Sequence, residues 1–138
     1  MDLLSESDAR DFEHATAMRK VIDSREVSLY VRGVRDVSQE ELEYAKLKSI
    51  DWRNDLCKLP SRVDYLSIDI DVLDPVYIDT SAPVAMGIRF EDLLRSLRRL
   101  RFDHVDLVEW IPPKGFPYVV RIFRELLVRL SMPKRLKR

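Results

Sequence analysis

Asp69 and Asp71 stand two residues apart in the segment YLSIDIDVLDP, residues 65–75, whose remaining residues are largely hydrophobic. In a β-strand, side chains i and i+2 leave the same face. The spacing therefore predicts two carboxylates projecting together from the end of a buried strand, where an unpaired charge is costly. Two convergent carboxylates suit a hard divalent cation, which takes oxygen ligands. Asp74 and Pro75 then turn the chain away. The same residues have a plainer reading, because an aspartate at a strand end also caps a following helix or pairs with an arginine. The motif is short, and spacing alone leaves both readings open.

The elements that must position this pair alternate along the chain. Residues 1–11 are polar and acidic, a loop by composition. From Phe12 to about Ser24, Ala15, Met18, Val21 and Ile22 recur at helical spacing, which puts His14 at or just before the first turn of a helix. Residues 27–33 (VSLYVRG) alternate as a strand that stops at Gly33. Ser38, with Glu41 three residues on, makes a capping box for a helix over about 39–48. Residues 51–62 hold Trp52, Cys57 and Pro60 and read as a connecting loop, and residues 72–87 as an irregular stretch. A helix at about 90–101 gathers Leu93, Leu94, Leu97 and Leu100 on one face, with arginines opposite. Residues 104–109 (HVDLVE) read as a strand ended by Pro112 and Pro113. A last helix, Tyr118 to Leu130, points Val119, Ile122, Phe123, Leu126 and Leu127 inward. This alternation predicts one α/β domain over residues 1–138, with a parallel sheet between two layers of helices. Ligand sites in such sheets lie outside the carboxyl ends of the strands. Asp69, Asp71 and Glu109 all fall at such ends.

Composition bounds the partners. Twenty-four basic residues balance 24 acidic ones, so net charge gives no support for binding nucleic acid or a membrane surface. A hydrophobic fraction of 46% and a charged fraction of 35% fit a globular protein. No window approaches the ~18 apolar residues that span a bilayer, and Met1 is followed by Asp2 rather than by the apolar core of a secretory signal. The lone Cys57 leaves no internal disulfide and fits a reducing, cytoplasmic setting. The basic tail KRLKR, residues 134–138, reads as a solvated terminus.

SIDIDVLDP, residues 67–75, closely resembles the signature of the ureohydrolases, the family of arginase and agmatinase. Three more segments are similar to that family in the right order. DFEHATAMRKVI (11–22) looks like its helix opened by a histidine, VSLYVRGVRD (27–36) like the strand and arginine-bearing loop that follow, and DLVEWIPP (106–113) like a strand end that carries a glutamate. The resemblance implies an arginase-like three-layer fold and Mn2+-dependent hydrolysis of a guanidino (linear amidine) C–N bond with release of urea. It implies a pair of Mn2+ ions that acidify and orient a bridging water. Position by position, Asp69 and Asp71 match metal ligands and Asp2 matches a third. His14 matches a histidine that moves protons to the leaving amine. Glu109 matches a glutamate that orients the planar guanidinium. Without the resemblance, His14 is a solvated capping residue and Glu109 a partner for an arginine. His104 reads as structural.

The family's Gly-Gly-Asp-His segment is absent, and its Asp-x-His-x-Asp segment would end at Asp2, twelve residues before His14. The chain is therefore expected to represent the carboxyl-terminal half of a longer ureohydrolase, truncated at an internal Met1 and inactive alone. SAPVAMGI (81–88) departs from the family's Thr-Pro-x-Pro-Gly-Gly loop. Leu4 stands where arginases carry an asparagine for the amino-acid head, and leucine makes no hydrogen bond there. The first departure falls in a loop that usually shapes the family's pocket. The second favours an agmatinase-like enzyme, with a small guanidino substrate such as agmatine, or another amidino hydrolase over arginase. The resemblance implies a homo-oligomer or a complementary amino-terminal half as partner. The competing expectations are a degenerate, non-catalytic domain that binds such a half across an open sheet edge, and a nucleotide-sugar transferase holding a diphosphate through Asp69 and Asp71.

Overall fold

The computed structural model describes residues 17–35, 37–79 and 86–131. It divides into two compact units, Met1–Asp55 and Leu56–Arg138. Among the described residues no helix is long and apolar enough to cross a membrane.

In the first unit, helix α1 (Ala17–Ser24), strand β1 (Tyr30–Arg32), helix α2 (Gln39–Leu47) and strand β2 (Asp51–Arg53) follow one another. α2 starts where its capping box places it. The Ser38 hydroxyl accepts from the Glu41 N–H at 3.2 Å, and the Glu41 carboxylate accepts from the Ser38 N–H at 2.8 Å. β2 corrects the expectation that residues 51–62 are all loop, since Asp51–Arg53 pairs in parallel with β1. Its three residues are too few to show alternation. Its extended form comes from partners elsewhere: the Asp51 N–H donates to Leu29 O at 3.1 Å, and Arg32 reaches the Asp51 carboxylate at 2.7 Å. Ile22 and Tyr44 form this unit's core with Met18, Leu29, Ile50 and Trp52. The buried Arg19 lies 4.4 Å from the Tyr44 ring centre, while the Tyr44 hydroxyl donates to Asp23 at 3.0 Å.

In the second unit, strand β3 (Tyr65–Asp69) leads through a 3-10 helix (Ile70–Val72) to helix α3 (Phe90–Leu97), strand β4 (His104–Val108) and helix α4 (Phe116–Leu130). Parallel strands need a crossover, and α3 lies on the one joining β3 to β4, which are paired in register from Tyr65 with His104 to Asp69 with Val108. Leu66, Ile68, Val105 and Leu107 face a core that includes Ile70, Phe90, Leu94 and Ile122. On the other face Tyr65, Ser67 and His104 are exposed, and the Tyr65 hydroxyl donates to the Asp106 carboxylate. β3 is thus apolar on one face only, which corrects the expectation of a fully buried strand. The parallel α/β character holds, but the strands form two separate pairs, β1–β2 and β3–β4.

α4 also departs from expectation. Val119, Ile122 and Leu126 are buried, whereas Phe123 and Leu127, expected inward, are 55% and 52% exposed. At about 100° per residue, 119, 122 and 126 share one stripe while 123 and 127 lie further round the helix. α3 ends at Leu97 rather than near residue 101, yet Leu100 stays buried in the connection that follows.

Candidate metal and substrate site

The carboxyl ends of β3 and β4 carry the acidic residues singled out in the sequence. Asp69 is the last residue of β3 and caps the 3-10 helix, its carboxylate accepting from the Asp71 N–H at 3.3 Å. Asp71 therefore does not continue the strand. The same-face argument from strand spacing is corrected: Asp71 follows Asp69 in a tight 3-10 turn, not in the pleat of the strand. Ile70 between them is fully buried and anchors that turn in the core.

Glu109 follows directly on β4. Because Asp69 pairs with Val108, Glu109 leaves the sheet at the same end as Asp69. Its φ of +65° lies in the left-handed region, which side-chain-bearing residues enter at a cost. That twist turns the chain out of the strand direction just after Val108.

Two devices hold these strand ends. The first is a backbone bridge behind Asp71. The Ile88 N–H donates to Val72 O at 2.7 Å, and the Asp74 N–H donates to Ile88 O at 3.2 Å. Gly87 makes this approach feasible, since a Cβ there would overlap the backbone of Leu73 and Asp74. The second is Lys114, whose ammonium donates to Pro75 O at 3.0 Å and to the Asp79 carboxylate at 2.8 Å. The Trp110 indole N–H donates to Lys114 O at 2.9 Å. The segment after Glu109 is thus strapped to the segment after Asp71. Sequence reasoning missed both devices. Their partners are 14 to 39 positions away, and nothing local marks a lysine as a strap.

His14 and Asp2 lie outside the described residues. His104 sits at the amino end of β4, the opposite end from Glu109. The donor chemistry at the β3 end suits a hard cation, since both side chains are carboxylates. Donor number does not complete a shell: among the described residues no three His, Cys, Asp or Glu side chains gather closely enough to hold a metal ion.

A parallel α/β unit with carboxylates at its strand ends narrows the protein class, and comparison with known proteins settles the family. The sequence pattern of the arginase family matches residues 1–120, and the chain belongs to that family. It is 32% identical to the agmatinase of Bacillus subtilis over 127 residues, 80% of this chain and 44% of that protein. With the agmatinase of Bacillus cereus it shares 31% over 118 residues, 78% of this chain and 41% of that protein. Arginase from Medicago truncatula superposes with a TM-score of 0.79 at 21% identity, covering 94% of this chain and 48% of that one. A T. brucei arginase-like protein does so with a TM-score of 0.69 at 23% identity, covering 80% and 44%. The chain spans less than half the length of these curated relatives, and the expected arginase-like α/β fold is borne out.

Proposed function

We propose that the chain supplies part of an agmatinase-like ureohydrolase site. The observation that carries this reading is the β3–β4 register, which brings the Asp69–Asp71 turn and Glu109 to one end of a parallel strand pair in a chain about 30% identical to agmatinases. Asp69 and Asp71 serve as carboxylate ligands, with Asp2 as a third. Divalent manganese, when bound, supplies a Lewis acid that makes water a nucleophile near neutral pH. Glu109 accepts N–H donors of a guanidinium and fixes its plane, and His14 passes a proton to the departing amine. The roles of Asp2 and His14 rest on the sequence match.

With too few donors among its described residues to close a metal shell, the chain alone turns over no substrate. The missing ligands come from the amino-terminal half of the same fold. The experiment is urea release from agmatine with Mn2+, for the chain alone and mixed with the amino-terminal part of an agmatinase. Release only from the mixture, lost in Asp69→Asn and in Asp71→Asn, is expected. Release from the chain alone would overturn the requirement for a second half. A mixture that assembles yet releases no urea from any guanidino compound would sink the ureohydrolase reading. That outcome would favour the second reading, a non-catalytic arginase-family domain that binds a partner chain, which the sparse donor set also supports. A nucleotide-sugar transferase finds no support in arginase-family membership.

A further inference from the structure

We propose that Lys114 is a positioning residue for Glu109. Its ammonium ties the chain beyond β4 to the chain beyond β3, and so fixes Glu109 relative to the Asp69–Asp71 turn. The strap itself is independent of the ureohydrolase reading, whereas its consequence for a guanidino substrate rests on that reading. β3 and β4 stay in register up to Asp69 and Val108, and Glu109 is the first residue past that pair. With its φ of +65° it has left the ladder geometry, so strand pairing no longer sets its direction. The residues that follow it set that direction instead.

Those residues are closed on themselves and then tied across. The Trp110 indole N–H donates to Lys114 O at 2.9 Å, which makes residues 110–114 one closed turn. The Trp110 ring lies 6.0 Å from that of Phe116, where α4 begins. From this turn the Lys114 ammonium donates to Pro75 O at 3.0 Å and to the Asp79 carboxylate at 2.8 Å. A carbonyl and a carboxylate around one ammonium fix a direction as well as a distance, and bonds to a charged donor are the strong ones. Packing joins the same two segments, since a Cβ on Gly115 would stand 2.3 Å from Ile78 Cγ2. Burial separates the two roles. Ile78 is 1% exposed and belongs to the core, while the Lys114 side chain is 47% exposed and adds little to global stability. A lysine that adds little stability, yet joins the two carboxylate-bearing strand ends, holds geometry. Orienting a planar guanidinium depends on that geometry, because a misplacement of about 1 Å costs on the order of a hundredfold in rate.

Nitrogen-15 relaxation of the full chain tests the strap. Lys114→Met keeps the stem and removes the ammonium. In that variant, order parameters at Glu109, Trp110, Val76 and Tyr77 are expected to fall together from near ~0.85 to below ~0.7, with unchanged circular dichroism. Asp79→Ala is expected to loosen the same residues, and the double variant to loosen them no further. Lys114→Arg is expected to restore their order. Urea release from agmatine with Mn2+, in the mixture with the amino-terminal part of an agmatinase, tests the consequence. Lys114→Met is expected to raise KM at least about fivefold, and Lys114→Arg to recover most of that change. A smaller folded fraction would lower kcat alone. The proposal is overturned if the four residues are as rigid in Lys114→Met as in the wild type. Loosening with an unchanged KM would also overturn it, leaving Lys114 a structural role only. A wild-type mixture that releases no urea would sink the ureohydrolase reading, and the relaxation data would still decide the strap.

Discussion

Glu109 combines a proposed substrate contact with an unfavourable backbone conformation. A left-handed φ costs a residue with a Cβ about 1 kcal/mol or more, and glycine is spared that cost. In urea unfolding, Glu109→Gly is expected to be more stable than Glu109→Ala by about 1 kcal/mol. Equal stabilities would mean that the twist at this position carries no strain. Gly87 behaves in the opposite way, because the contact of a new Cβ would be with backbone, which gives little. Gly87→Ala is expected to cost at least about 2 kcal/mol in the same measurement. A loss under about 0.5 kcal/mol would show that the bridge behind Asp71 yields easily. Lys114 is half exposed, so Lys114→Met should move global stability little. Hydrogen exchange should instead quicken at the Ile111 N–H, which donates to Asp79 O. The candidate residues themselves were legible in the sequence. Their geometry was not, because Asp71 leaves the strand in a turn whose backbone partner, Ile88, is contributed from further along the chain.

Elements differ in how much their own residues decide. The start of α2 was readable because its cap is local: Ser38 and Glu41 satisfy each other's backbone within one turn. Ser38→Ala is expected to cost about 1 kcal/mol, read from the urea midpoint, and no loss would mean that packing alone holds the helix. β2 was unreadable for the converse reason, since three residues acquire strand geometry only beside β1. The α3–α4 contact is pinned by Glu125, which reaches Arg98 at 3.1 Å and Arg129, one turn away on its own helix, at 3.1 Å. Burial pushes this carboxyl up, but the two guanidinium groups outweigh it and hold it below the ordinary carboxylate range. A depressed folded pKa adds stability above the unfolded value, and that stability is lost as pH falls through the folded one. Below about pH 4 the wild type should therefore lose stability faster than Glu125→Gln, and parallel curves would remove Glu125 from the account.

The molecule as a whole should show a broad stability plateau in pH. Hydrogen bonding by Lys48 to Asp23 and by Arg32 to Asp51 holds both carboxyls below their usual values, so their contributions fade only in acid. Burial, aided by Asp23, pushes the Tyr44 hydroxyl up to about 12. A raised folded pKa contributes fully below the unfolded value near ~10 and is lost as pH climbs toward the folded one. Unfolding midpoints are expected to be level between about pH 5 and 9 and to fall on either side. For Tyr44→Phe the alkaline fall should be shallower, and an unchanged fall would place its origin elsewhere.

Taken alone, the sequence determined the α/β class, the arginase-family resemblance and the acidic residues at the strand ends. Each of these is written in contiguous residues, through periodicity, local capping or an ordered set of short motifs. Only the tertiary structure decided that β2 is a strand, that the Asp69–Asp71 pair is set by a backbone turn, and that Gly87 and Lys114 support it. It also divided the wide apolar arc of α4 into a buried and an exposed stripe. Hydrophobicity tells a helix which residues to hide, but the number of neighbours available decides how many of them are hidden.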